Sequence, residues 1–424
     1  PSSKANLVPI LVIVLLAAAL SRLAYLNSRP PSLRDGRGGY GDTYTYFRLA
    51  RNLAASGRFS NSAPPGPYTP SCYKPPAYPF FLAGLMKAGF HETGASGYRP
   101  FRIAQALGSS LTAVWVCLAA WLLFQSRAAA LAAGLLMALS PFDIHYSQAL
   151  LSDWLGAMLM AAALAAFTAA LQYRAAGWMV AAGAVMGLTI LTRPVMIGYA
   201  PVLGCLLVLR SGGGRRRRNL AMAGLFLAAA AGVVGVWTFR NYRATGLFIP
   251  VSIGGKSVGL LRGTWETPAN WSWRGLPEED FKDPRELEAA RSLLAEYSRA
   301  TRLGPTTKAV EVNRRLEALA RKRIARDPAG YLQLCLARLP MLWWNHKVRI
   351  YLDPDPRGLW VFPWLALWLC GLALVRGRVA DMLALWLLPA YVTLMHVPVH
   401  VEPRFSLTAF PAMAILGGGV VAPS

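Results

Sequence analysis

Residues 151–172 read LSDWLGAMLMAAALAAFTAALQ. After Asp153 no charge appears until Arg174, a distance close to one bilayer crossing of about 20 residues. The same texture recurs at 6–26, 101–124, 128–143, 176–192, 194–210, 219–239, 359–375, 380–397 and 405–422. Over the whole 424 residues 55% are hydrophobic and 15% charged, against about 45–50% and about 25% in a soluble domain. A water-soluble enzyme is excluded. The fold class expected is an all-α polytopic membrane protein, a bundle of about 10–12 transmembrane helices.

The net charge of +24 comes from 44 Lys and Arg against 20 Asp and Glu. In a soluble chain that excess suggests nucleic acid. Here Arg127, Arg174, Arg210 with Arg215–Arg218, and Arg376 with Arg378 fall in alternate connections between apolar runs. Cytoplasmic loops favour such residues, so the basic excess reads as topology and no nucleic-acid partner is expected. With the N-terminus cytoplasmic as well, the opposite face receives 27–100, the links near 145–150 and 193, the stretch 240–358, and 398–404. The run at 75–90 is short, opens with two prolines and holds Lys87. It is expected to lie on the outer face as an interfacial helix. Residues 331–345, with Arg338, Pro340 and Trp343–Trp344, are read the same way.

The domain organisation expected is 1–239 as an N-terminal membrane core, 240–358 as a small extracytoplasmic subdomain with interfacial helices, and 359–424 as C-terminal membrane helices. Within the first unit, loop 27–100 is expected to carry the active site. The run from Leu7 to Leu26 lacks a small-residue cleavage signature and reads as a retained span. Five scattered Cys residues form no CxxC pair, so neither a thiolate zinc site nor a disulfide framework is indicated. No repeat of solenoid period is visible.

Thirteen of the twenty carboxylates lie in 240–358, leaving Asp35, Asp42, Glu92, Asp143, Asp153, Asp381 and Glu402. Ionisable groups beside a bilayer are expensive and default to functional candidates. Asp381 and Glu92 read as ordinary loop charges. The other five fall at the outer surface. Asp42 opens DTYTYFRLARNLAASGRF, where Tyr46, Leu49, Ala50 and Leu53 follow helical spacing. The plainer reading of Asp42 is an N-cap, which does not prevent it from facing a cleft. Lys74, in YKPPAYP, reads either as a snorkelling lysine or as a phosphate contact. Arg193 in LTRP, Arg240 in TFRNY and Arg404 in VEPRF are cations at span ends, each suited to an anionic partner. Cations and carboxylates on one membrane face have the composition of a lipid-phosphate site.

Three stretches in this order also look familiar: a first span, then D-x-x-x-Y-x-x-x-A-R-x-L-x-x-x-G-x-F from Asp42 to Phe59, then Y-K-P-P-x-Y-P from Tyr73 to Pro79. With SDW at Asp153, LTRP at Arg193, FRNYRATGLFIPVSIGG from Phe239 and EPRFSLTAFP from Glu402, the chain resembles the GT-C membrane glycosyltransferases. The similar branch is the bacterial group of protein O-mannosyltransferases and the lipid A aminoarabinose transferase. The resemblance runs from about residue 6 to about 420 and is weakest over 260–330.

That resemblance implies a GT-C-type bundle and a polyprenyl-phosphate-linked sugar donor. It also implies transfer on the extracytoplasmic face of a bacterial inner membrane, to a hydroxyl of a lipid, glycan or protein. It places the acids on Asp42 and Asp153 and a donor-phosphate contact on Lys74. On residue chemistry Arg193, Arg240 and Arg404 join Lys74, while Asp35, Tyr46, Tyr73, His145, Tyr146 and Glu402 are candidates to line the cleft. The family often pairs two acids in the first loop, whereas this chain has Gly41-Asp42-Thr43. No cofactor is firmly implied; if a divalent metal binds, Asp42, Asp153 and His145 are the residues to gather round it. The competing class is a lipid-sugar flippase or a non-catalytic lipid-binding protein. Such transporters often carry inverted repeats and paired broken spans, and neither is seen.

Overall fold

The computed structural model describes residues 6–28, 41–62, 68–92, 97–209, 216–267, 276, 278–281, 283–303, 305–343 and 379–422. The regular structure in these residues is helical, and the chain is an all-α integral membrane protein. Helix α1 (Val8–Ser28) buries Val14, Ala18, Arg22 and Leu26 at four-residue spacing and turns Val12, Leu16 and Leu20 outward. In a bilayer that outward stripe meets acyl chains. Helices α2 (Gly41–Ser56) and α3 (Ala77–Lys87) pack together across Tyr46, Phe47, Leu53, Tyr78 and Leu82. With 11 residues α3 is about 16 Å long, too short for the roughly 30 Å of hydrocarbon.

Helix α4 (Arg99–Phe124) is a full span, and the next apolar run departs from expectation. Residues 128–143 do not make one crossing. They form α5 (Arg127–Ala138), 12 residues capped by the Ser126 hydroxyl, and then a break. Ser140 and Pro141 cause it. The Ser140 hydroxyl accepts from the Asp143 amide and Pro141 occupies the first turn of the short α6 (Pro141–Tyr146). Both residues start a new helix rather than continue an old one.

Helix α7 (Asp153–Tyr173) lies at the centre, with most of its surface inside the protein. Its run of Ala and Gly lets neighbours approach closely, the usual basis of helix packing in membranes. Arg174 ends it in a left-handed conformation, φ 54°. Helix α8 (Ala176–Thr192) follows and stops at Arg193, which is extended because Pro194 comes next. A 3-10 turn, Pro194–Gly198, then leads into α9 (Tyr199–Leu209), so the expected span at 194–210 begins irregularly. Helix α10 (Arg216–Thr245) outruns its expected 219–239. At 30 residues it is about 45 Å long and extends beyond the hydrocarbon.

After α10 the chain builds a helical layer from α11 (Lys256–Arg262), α12 (Pro284–Leu303) and α13 (Thr306–Arg326). Leu261, Trp265, Leu293, Val312 and Leu316 are its core. Helix α14 (Pro328–Trp343) has 16 residues with Pro340 inside it. Helix α15 (Val379–His396) precedes a second 3-10 turn, Pro403–Ala409, and α16 (Phe410–Gly419), ten residues of which all but Gly419 are buried. The run at 405–422 is thus a broken element and not a uniform span. The expected span at 359–375, and Trp344 of the expected interfacial run, lie outside the described residues.

Candidate active site

Six of the charged residues picked out in the sequence meet at one end of the bundle, each delivered by the end of an element. Asp42 sits in the first turn of α2, and Lys74 lies just before the Pro75-Pro76 pair that leads into α3. Asp153 begins α7, Arg193 ends α8, and Glu402 and Arg404 open the second 3-10 turn. Gly156 makes room for one of them: a Cβ there would stand 2.6 Å from Arg193 Cγ. The arginine stem therefore lies along the first turn of α7 and brings its head to Asp153.

The contacts alternate in sign. Lys74 Nζ is 2.5 Å from Asp42 Oδ1, and Arg404 Nη2 is 3.7 Å from Asp42 Oδ2. Arg404 Nη1 is 3.7 Å from Asp153 Oδ2, and Arg193 Nη1 donates to Asp153 Oδ1 at 2.8 Å. Arg404 also donates to both oxygens of Glu402, from Nη2 at 3.0 Å and from Nε. Asp153 and Arg404 are nearly inaccessible, whereas the Asp42 side chain is 34% exposed and forms the open side of the network. Asp153 Oδ2 is buried and makes no hydrogen bond of its own.

Burial works against the charge on Asp42, but Lys74 and Arg404 outweigh it and hold its carboxyl below the usual carboxylate range. Glu402 is depressed further: burial opposes its charge, and Arg404 and His400 overcome that cost. Lys74 is pushed upward in turn, because Asp42 more than offsets its desolvation. Asp42 is therefore a carboxylate at neutral pH, flanked by two cations. Aromatic rings support the cations. Lys74 lies 5.3 Å from the Tyr46 ring and 5.0 Å from the Tyr73 ring, and Arg193 and Arg404 both face Phe405.

Several candidates are placed differently. Asp42 directs its carboxylate to Lys74 and Arg404, where an N-cap would turn it to backbone amides. Arg240 was expected beside the donor phosphate. Its guanidinium instead donates to the Ser71 and Phe59 carbonyls at 2.8 and 2.9 Å and stacks by Trp237, bracing the first loop. Tyr46 bonds Ser152 at 3.2 Å, and Tyr73 meets Tyr297 edge-on. His145 is hydrogen-bonded to the Tyr25 hydroxyl at 2.8 Å, and Tyr146 is buried with Phe142, Ala157 and Leu407. Asp35 lies outside the described residues. Among the described residues no three His, Cys, Asp or Glu side chains are grouped to hold a metal ion.

Sequence reasoning missed two members of the cluster, Glu266 and His400. Both are buried, with His400 Nδ1 2.8 Å from Glu266 Oε1 and Nε2 3.3 Å from Glu402 Oε1. His400 had a signal, standing two residues before Glu402. Glu266 had none beyond its place at the end of an apolar turn. Arg22 was also missed; it pairs with Asp143 inside the bundle, with both side chains fully buried.

Residues 73–238 match the family model described as dolichyl-phosphate-mannose-protein mannosyltransferase. The match includes Lys74, Asp153 and Arg193, and stops short of Asp42, Glu402 and Arg404. Among solved structures, the archaeal oligosaccharyltransferase AglB from Archaeoglobus fulgidus, in complex with an inhibitory peptide and a dolichol-phosphate, superposes with a TM-score of 0.56. Identity is 16%, covering 98% of this chain and 50% of that one. The A. fulgidus enzyme tethered with an acceptor peptide gives 0.58 at 17% identity, covering 98% and 49%. The chain shares its fold with these archaeal oligosaccharyltransferase structures. This chain spans about half the length of those archaeal structures. ArnT from Cupriavidus metallidurans aligns over 98% of this chain and 77% of its own at 19% identity, with a TM-score of 0.41. No curated protein sequence matches this chain.

Proposed function

We propose that the chain is an integral-membrane glycosyltransferase that moves a sugar from a polyprenyl-phosphate donor to an acceptor hydroxyl. The observation that carries this reading is Asp42: an ionised, partly open carboxylate with Lys74 at 2.5 Å and Arg404 at 3.7 Å. Transfer forms a bond between the acceptor oxygen and the sugar's anomeric carbon and breaks the bond from that carbon to the phosphate. The acceptor proton passes to Asp42, and the bonding electron pair leaves with the phosphate. A positioned base of this kind contributes about 10²–10⁴-fold.

The donor phosphate arrives with one negative charge and departs with more. Cations placed in advance act where that charge develops. Lys74, Arg404 and Arg193 fill this role, Arg offering two parallel N–H donors to phosphate oxygens. A phosphate that shares Lys74 and Arg404 draws both from Asp42. The carboxylate is then less stabilised and a stronger base, so donor docking primes it. Asp153, with one unbonded buried oxygen, is suited to receive a hydroxyl of the sugar or acceptor.

On this reading residues 1–239 are the membrane core, with the active-site loop at 27–100. Residues 240–358 form an extracytoplasmic subdomain, and 359–424 are the closing helices. The site faces away from the cytoplasm in a bacterial inner membrane, and the acceptor is a lipid, glycan or protein hydroxyl. The test supplies the purified chain with a panel of polyprenyl-phosphate hexose donors and membrane-extract acceptors, and follows release of polyprenyl monophosphate. Release that depends on acceptor supports transfer. Movement of intact donor across proteoliposomes without release would mark a flippase instead.

A further inference from the structure

The segment Val397–Arg404 carries Glu402 and Arg404, and it rests on α11 of the helical layer. Gly259 and Gly263 form the seat. A Cβ at Gly259 would stand 2.8 Å from Val399 Cγ1, and one at Gly263 would stand 2.5 Å from the Val399 carbonyl oxygen. Arg338, fully buried in α14, donates to the Gly263 carbonyl at 2.6 Å, and the Tyr331 hydroxyl donates to the Pro398 carbonyl. On this seat His400 lies between two buried carboxylates, Glu266 at Nδ1 and Glu402 at Nε2. An imidazole can donate from both nitrogens only when protonated.

We infer that His400 is a positioning residue: as imidazolium it ties Glu266 of the helical layer to Glu402, and so fixes the Arg404 guanidinium between Asp42 and Asp153. The inference rests on the proposed transfer at that site. Arg404 donates hydrogen bonds to both oxygens of Glu402, while its ion pairs with Asp42 and Asp153 are longer, both 3.7 Å. Glu402 thus orients the guanidinium, and His400 orients Glu402. The α11–α14 side of the protein becomes part of the active site without touching substrate.

The groups acting on His400 are Glu266 from the α11 stretch, Glu402 from its own segment and His396, neutral at the end of α15, with Arg262 and Arg404 beside the two carboxylates. Burial disfavours the imidazolium, yet Glu266 and Glu402 outweigh that cost and raise its pKa above the ordinary value. The tie accordingly persists to higher pH than an ordinary imidazole would allow and is lost as pH rises through the raised value.

The probe is a polyprenyl monophosphate in mixed micelles, titrated into the purified full chain from neutral to alkaline pH. His400→Gln and Glu266→Gln are compared with the native chain, and hydrogen exchange is followed in peptides covering 397–404. Native affinity should fall on the alkaline side. Each variant should bind about tenfold more weakly at neutral pH with a flat profile, and the double variant no worse than either, as coupled residues do. Glu266→Gln keeps shape and tests the tie from its other end should His400→Gln fold poorly. Native affinity and an unchanged alkaline limb in both variants would overturn the inference. If the native chain fails to bind the probe, the proposed function falls, and exchange alone decides the tie. Faster exchange at 397–404 in the variants, with the native chain joining them only at alkaline pH, supports it; equal exchange at every pH refutes it.

Discussion

Asp42 separates electrostatics from shape more cleanly than any other residue of the site. Its carboxyl is held low by Lys74 and Arg404 after burial is overcome, so its charge is complete above the unfolded value of about 3.9 and is lost only as pH falls through the lower folded value. The acid limb of transfer should therefore lie below about pH 4 in the native chain. Lys74→Ala removes the nearer cation, so that limb should move upward in a pH–rate profile while donor affinity drops. An acid limb unmoved by Lys74→Ala would show that the ion pair does not govern the base. Asp42, Lys74, Asp153 and Arg193 were legible in the sequence because charges that interrupt apolar runs are rare and costly. Glu266 and His400 were not, because they meet across 134 residues and Glu266 comes from a stretch rich in carboxylates. Arg240 looked equivalent to Arg193, yet pattern alone does not show that loop carbonyls take up its donors.

Among the elements, α8 and α10 approach closely at Gly183 and Gly187, a feature that apolar pattern does not reveal. Gly183 stands against the Phe226 carbonyl oxygen, and a Cβ at Gly187 would come 2.7 Å from Val233 Cβ. Gly183→Ala should lower thermal stability in detergent by about 1–3 kcal/mol, the usual cost of overpacking; an unchanged melting temperature would mean that the helices are looser than described. The α1–α6 contact behaves differently. Arg22→Leu leaves Asp143 buried without its cation and should cost about 3–5 kcal/mol. Adding Asp143→Leu should restore much of that loss, and failure of the double variant to recover would assign Arg22 a role beyond the pair. Element type was well marked in the sequence, since long uncharged runs leave no alternative to helix in lipid. Element ends were less so. The break at Ser140-Pro141 and the 3-10 turns at Pro194 and Pro403 depend on local capping and proline geometry that a hydropathy window averages away.

At the scale of the whole molecule, α10 connects the two ends. Arg216–Arg218 begin it, and Arg240 near its far end braces the first loop, so the basic cluster and the carboxylate site lie at opposite ends of a helix about 45 Å long. In the proposed orientation the basic end faces the cytoplasm. Single cysteines at the exposed positions 56 and 217, in a background without the native ones, should react with an impermeant reagent from opposite sides of sealed vesicles. Reaction of both from one side would overturn that orientation. The central claim is narrower, that Asp42 takes the acceptor proton in sugar transfer. It is tested most directly by turnover of Asp42→Asn at saturating donor and acceptor, read as polyprenyl monophosphate released per enzyme alongside donor affinity. The result expected is a loss of about 10²-fold or more in turnover with donor still bound; near-native turnover in Asp42→Asn would contradict it.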